Sequence, residues 1–168
     1  MMEGMNRSAR AMWMDYLSVI AGPGHHLSQV PETPQAWAFG AGKEMAEELA
    51  RLVVAGVKRA TATSLEGILV DGDPMPQVGV HSVIYDGSRV ARCIILTTAV
   101  HVAPLDSVSE AFAWQEGEGD RSVEYWLEGH RSFFRAEHET LDLPFSDSIP
   151  VIFEEFVVVW PQEIADRR

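Results

Sequence analysis

Apolar positions in the first third of the chain recur at helical spacing. Over residues 7–20, Met12, Tyr16, Leu17 and Ile20 fall on one face, which predicts a helix. Residues 43–55 show a stronger pattern, with Met45, Leu49, Leu52 and Val53 at i, i+4, i+7 and i+8, and Gly56 stands where a helix C-terminal cap belongs. Between them, Ala21 to Pro34 contains Gly22-Pro23-Gly24 and two more prolines, a turn-rich connection. Ala62–Val70 reads as another short helix, followed by a turn at Asp71-Gly72-Asp73-Pro74 and Pro76.

From Gly79 the pattern becomes that of strands. Val80–Tyr85, a turn at Asp86-Gly87-Ser88, and Arg89–Val102 read as a hairpin. Its second strand is apolar on both faces, with Ile94, Leu96 and Val100 against Cys93, Ile95 and Ala99, so it belongs inside a sheet or barrel. Ser107 is expected to open a helix as N-cap, with Glu110 at the capping-box position. Residues 121–138 form a further helix with Val123, Trp126, Leu127, His130, Phe133 and Phe134 on one stripe, and Val151–Trp160 is a last strand closed by Pro161. This order of elements is that of an α+β protein, in which the last strand pairs with Val80–Val102 to close a small barrel.

Composition narrows the function. The 168 residues carry 25 acidic and 13 basic side chains, a net charge of −12. Residues 103–168 hold fifteen acidic and five basic side chains, whereas residues 1–102 hold ten and eight. Affinity for nucleic-acid backbone rests on phosphate neutralisation, so this balance argues against backbone gripping but leaves a small nucleobase ligand open. Any basic patch must lie near Arg51, Arg59, Arg89 and Arg92. The single Cys93 excludes an internal disulfide and a cysteine-based zinc site. No apolar run reaches a membrane span, and Met1-Met2-Glu3-Gly4 does not open a signal peptide, so a cytoplasmic location is expected.

Two segments carry candidate chemistry. In Gly56-Val57-Lys58-Arg59-Ala60-Thr61-Ala62-Thr63, Lys58 is one of two lysines, against eleven arginines. An amine differs from a guanidinium in that burial tunes its basicity, so it serves as base or nucleophile; a cation after a helix C-terminus is the plainer alternative. In Gln115-Glu116-Gly117-Glu118-Gly119-Asp120, three carboxylates fall within five positions. They suit an acid/base pair or a divalent cation; the plainer alternative is a solvated loop whose Asp120 caps the next helix. His25-His26 are expected to be exposed, and His130 to be a partly buried imidazole with its hydrogen bonds satisfied.

These segments, with Trp37-Ala38-Phe39-Gly40, Pro76-Gln77-Val78-Gly79, Arg121-Ser122, Tyr125-Trp126…His130 and Glu154-Glu155-Phe156, resemble ASCH-domain proteins of the PUA-like superfamily. The resemblance runs from about Trp37 to Trp160. It implies a small PUA-like β-barrel with flanking α-helices at 37–162, after an N-terminal helical extension at 1–36 and before a tail at 163–168. Some small members of the family are amidohydrolases that remove the acetyl group of N4-acetylcytidine; others cleave or bind RNA. In the deacylating members the catalytic set is a Lys and a Thr in a G-x-K-x-x-T segment and a later Glu. Carried over, these are Lys58, Thr61 and Glu116, with Glu118 as the alternative carboxylate. Trp37, Phe39, Arg59 and Thr63 are the implied substrate contacts, and Trp114 is a further aromatic able to stack on a base. This chain is longer than the smallest members, which leaves its substrate less defined than its fold.

The expected reaction is hydrolysis of an acylated pyrimidine nucleoside. In one route a neutral Lys58 deprotonates Thr61, which attacks the acyl carbon while Glu116 protonates the leaving amine. In the other, water attacks, Lys58 polarises the carbonyl and Thr61 orients. The alternatives are an RNA-binding or RNA-cleaving domain and a non-catalytic nucleobase-recognition module. Neither cofactor nor metal is expected, the partner is a small nucleoside-like ligand or RNA, and oligomeric state is open.

Overall fold

A computed structural model describes residues 5–21 and 34–167. The elements are α1 (Arg7–Ile20), β1 (Gln35–Trp37), α2 (Lys43–Val54), β2 (Ala60–Ser64), α3 (Leu65–Asp71), β3 (His81–Tyr85), β4 (Ala91–Pro104), α4 (Glu110–Glu116), α5 (Val123–Thr140) and β5 (Pro150–Trp160). The strands form a mixed five-stranded sheet in the order β1-β3-β4-β5-β2, with β1 parallel to β3 and the β2–β5 and β3–β4 pairs antiparallel. The class is α+β, and β5 lies beside β4 as its apolar pattern requires. The turn-rich connection and His25-His26 fall largely or wholly outside the described residues. Among the described residues no helix is long and apolar enough to cross a membrane.

The chain divides into two compact units. The first comprises Met1–Gly56, Gly79–Thr97 and Phe156–Arg168. Here α1 starts at Asn6, whose side chain accepts from the Ala9 N–H, and lays Ala9, Trp13 and Tyr16 against Val83, Tyr85, Ala91 and Ile94. The expected stripe lies on this face: Tyr16 is part of the cluster, Met12, Leu17 and Ile20 pack against it, and Trp13 adds a large apolar ring. Phe39, Leu49, Val53, Ile84, Cys93, Ile95, Phe156 and Val158 form its other core cluster. Strand β1, invisible to hydrophobic periodicity, exists because Gln35, Ala36 and Trp37 pair with Ser82, Val83 and Ile84.

The second unit comprises Val57–Val78 and Thr98–Glu155. Its core gathers Ala60, Leu105, Val108, Phe112, Ala113, Trp126, Phe134, Ile149, Val151 and Phe153. Full burial of each large side chain contributes about 2 kcal/mol.

Three expectations are corrected in this unit. Ala62–Val70 is not one helix: Ala60–Ser64 pairs with Val151–Glu155 and only then does α3 begin, with Ser64 accepting from the Gly67 N–H as N-cap. Thr61 and Thr63 are β-branched, and a sheet edge satisfies their backbone better than a first helical turn. Ser107 is not the N-cap of α4 either. It closes a 3-10 turn, and Ser109 caps α4 by accepting from the Phe112 N–H. A Ser two places later offers the same chemistry, and the turn at Leu105–Ser107 decides between them. Likewise Ser122, not Asp120, caps α5; Asp120 accepts from the Ser122 N–H and hydroxyl instead.

Candidate active site

The site is built where α4 ends against the free edge of β2. Helix α4 terminates at Gly117, which adopts φ +77°. A Cβ there would lie 2.4 Å from the Val57 carbonyl oxygen, so only glycine admits this close approach of the two backbones. The Arg59 N–H then donates to the Gln115 carbonyl at 2.7 Å, fixing the register between the two segments. Gly117→Ala is expected to cost at least about 2 kcal/mol, since the left-handed backbone alone costs about 1–2 kcal/mol and Val57 cannot yield. Urea unfolding checks this, and wild-type stability would exclude it.

This approach sets Lys58 against Glu116 and Glu118. Lys58 is 1% exposed, and its Nζ donates to Glu116 Oε1 at 3.2 Å and to Glu118 Oε1 at 2.8 Å. Glu116 is buried and Glu118 is 29% exposed. Glu116 Oε1 also accepts from the Ala62 N–H at 3.2 Å, a donor that an edge strand leaves without a strand partner. Glu116 Oε2 accepts from Trp126 Nε1, and His130 Nε2 lies 3.5 Å from the same oxygen.

Helix α5 supplies these last two groups. Trp126, His130 and Phe134 follow at intervals of four and share a face. The His130 ring stacks on Trp126 at 3.8 Å, and its Nδ1 donates to the Trp126 carbonyl at 2.9 Å. His130 is thus both the satisfied, partly buried imidazole expected from the stripe and a neighbour of the site. Burial by itself would raise the Glu116 carboxyl, but the charges of Lys58 and His130 and the His130 and Trp126 hydrogen bonds overcome it. They hold it well below the usual carboxylate range, at about 2.

The acidic loop after Glu116 is held from outside. Gly119 packs on the Tyr125 ring, and Arg121 lies over the exposed Trp114 ring at 4.7 Å. The Arg121 N–H closes a turn onto the Glu118 carbonyl at 3.0 Å.

Of the residues singled out in the sequence, Lys58, Glu116 and Glu118 are brought together. Thr61 and Thr63 follow on β2, opposite Glu154 and Ile152. Because Ala60 and Ala62 face the apolar core, both threonines stand on the other sheet face. Arg59 folds its guanidinium back to the Lys58 carbonyl at 2.8 Å. Trp37 and Phe39 belong to the first unit, where Phe39 is buried against Trp37 and Phe156. Sequence reasoning gave Trp126 and His130 no role in the site, although their i, i+4 spacing with a polar tip on each ring was an available signal.

A family model described as ASCH domain matches residues 35–160. No curated protein matches the chain. The ASCH domain structure from Lactobacillus crispatus JV V101 is 32% identical, covers 95% of this chain and 98% of its own, and superposes with a TM-score of 0.85. A protein structure from Enterococcus faecalis V583 is 31% identical over 91% of this chain and 88% of its own, with a TM-score of 0.79. The fold is the α+β one expected from the order of elements and the PUA-like one that the resemblance implies. The chain belongs to the ASCH domain family.

Proposed function

We propose that this protein is an amide hydrolase acting on an acylated pyrimidine nucleoside of the N4-acetylcytidine type, working through Lys58, Thr61 and the Glu116/Glu118 pair. The observation that carries this reading is a buried lysine clamped between two carboxylates, one sealed and one half-open to solvent. A fixed cation suits the oxygen of a polarised carbonyl, and an adjacent carboxylate moves the protons that amide cleavage requires.

The geometry favours attack by water over attack by Thr61. An amine hydrogen-bonded to two carboxylates is a cation, suited to polarising the acyl oxygen rather than to accepting a proton. Thr61 stands on the sheet face shared with Glu154, and in the water route its proposed part is to orient the substrate rather than to attack. The net charge of −12 suits an uncharged nucleoside better than a polyanion.

Incubation with N4-acetylcytidine, following cytidine release by chromatography, tests the reading. Wild type is expected to turn over, and Lys58→Ala to lose at least about 10²-fold in kcat/KM, the usual cost of removing one preorganised oxyanion donor. Absence of wild-type turnover would sink the substrate class; turnover surviving in Lys58→Ala would sink the role of the lysine.

A further inference from the structure

The geometry points to Glu118, not Glu116, as the carboxylate that transfers protons at this site, with Glu116 as the residue that positions Lys58; we infer this on the amide-hydrolysis reading above. Both carboxylates share Lys58 Nζ, yet their surroundings differ in every other respect. A carboxylate offers two oxygens and about four lone-pair sites. At Glu116 four partners fill them: Lys58 Nζ and the Ala62 N–H at Oε1, and Trp126 Nε1 and His130 Nε2 at Oε2. With these four partners in place, neither oxygen keeps a lone pair for a water or a substrate nitrogen. Protonating it would break contacts on which the docking of α4, β2 and α5 depends. Its carboxyl lies at about 2, which makes it a weak proton acceptor near neutral pH.

Glu118 has the complementary properties. It is 29% exposed, and its Oε1 holds Lys58 Nζ at 2.8 Å. Its Oε2 has no hydrogen-bond partner among the described residues, so one carboxylate oxygen is bound beside the cation and the other is open. Position is not left to chance. The Arg121 N–H fixes the Glu118 carbonyl, and Gly119 rests on the Tyr125 ring. Glu116 holds Lys58 from the buried side, and Lys58 in turn orients Glu118.

The step this arrangement supports is balanced as follows. Glu118 Oε2 accepts a proton from water while the water oxygen bonds to the acyl carbon, and the Lys58 ammonium stabilises the resulting oxyanion. The oxyanion then collapses, the C–N bond breaks, and the protonated Glu118 gives that proton to the exocyclic nitrogen of the nucleoside. The products are the free carboxylic acid and the amine, and Glu118 returns as the carboxylate.

The test is steady-state deacetylation of N4-acetylcytidine by the full chain, comparing wild type, Glu118→Gln, Glu118→Ala, Glu118→Asp, Glu116→Gln and Glu116→Ala, with Tm measured for each. Glu118→Gln is expected to lose about 10²–10³-fold in kcat with KM little changed and Tm near wild type. Added formate is expected to restore part of the activity of Glu118→Ala, because the open position admits a small carboxylate. Glu116→Gln is expected to lower Tm while keeping the carboxylate limb of the pH–rate profile, and formate should not rescue Glu116→Ala. Wild-type kcat in Glu118→Gln, or rescue of Glu116→Ala in place of Glu118→Ala, overturns the assignment. If a Glu118 variant misfolds, Glu118→Asp decides: a folded, partly active Asp variant supports the role, and one as active as wild type overturns it. Absence of wild-type turnover removes the hydrolase reading and this assignment with it, whereas turnover undiminished in Glu118→Gln removes this assignment alone.

Discussion

Replacing Lys58 by methionine is expected to destabilise the chain by about 3–5 kcal/mol at neutral pH, the usual cost of removing one partner of a buried ion pair. Methionine restores most of the volume, so the loss is electrostatic rather than a cavity effect. Lys58 is the cation that lies between Glu116 and Glu118, and its removal leaves the Glu116 carboxylate buried without that countercharge. Taking on a proton is then the cheaper course for Glu116, because burial acts on it without the lysine to oppose it. The deficit of Lys58→Met should therefore shrink as pH falls. The double variant Lys58→Met/Glu116→Gln should recover a large part of the single-variant loss, since it removes the uncompensated charge itself. Urea unfolding of the four members of this cycle checks both statements. A deficit independent of pH and unrelieved in the double variant would show that Lys58 acts by packing alone.

The second large effect is on acid stability. The Glu116 carboxyl is lowered from 4.5 in the unfolded chain to about 2 in the folded one. Its stabilisation is complete above the unfolded value and is lost as pH falls from about 4.5 toward 2. A difference of that size corresponds to about 3 kcal/mol. The Glu116→Gln variant isolates it, because it lacks the titrating group: the wild-type minus variant stability should fall across that window and level off below it. Asp86 and Asp147, whose carboxyls hydrogen bonds hold below the usual range, are common to both proteins. So is Glu137, which burial beside α3 pushes upward. A difference that stays flat from pH 5 to 2 would mean that Lys58 and His130 do not hold Glu116 ionised.

Both effects arise from one arrangement. Glu116 ties the edge of β2, the end of α4 and the face of α5 into one polar knot, and Lys58 supplies its countercharge. A buried ion pair is weak support for stability as such, because desolvation offsets most of the attraction. Such a pair suits the proposed chemistry, which needs a fixed cation beside an accessible carboxylate.

How much of this was legible beforehand depends on the range of the interactions. Local forces set α1, α2 and α5, and their apolar stripes show them nearly to the residue. The hairpin at Asp86 is equally local, since the Asp86 carboxylate accepts from the Ser88 and Val90 N–H groups within the turn itself. The scarcity of lysine and the three carboxylates of the EGEGD loop marked Lys58, Glu116 and Glu118 as unusual, and the G-x-K-x-x-T spacing gained its meaning from the family resemblance. What the chain could not show by itself was long-range. Strand β1 is three residues long and exists through parallel pairing with β3. Ala60–Ser64 becomes a strand because residues some ninety positions later pair with it. Trp126 and His130 enter the site because a helix face places their polar tips against Glu116, whereas the stripe records only that the face is apolar. The difference between the two glutamates belongs to the same class. Sequence sets two like carboxylates two positions apart, and only tertiary packing seals one with four partners and leaves the other open. Burial and charge compensation depend on every segment that meets at a point, and no single stretch of chain contains them.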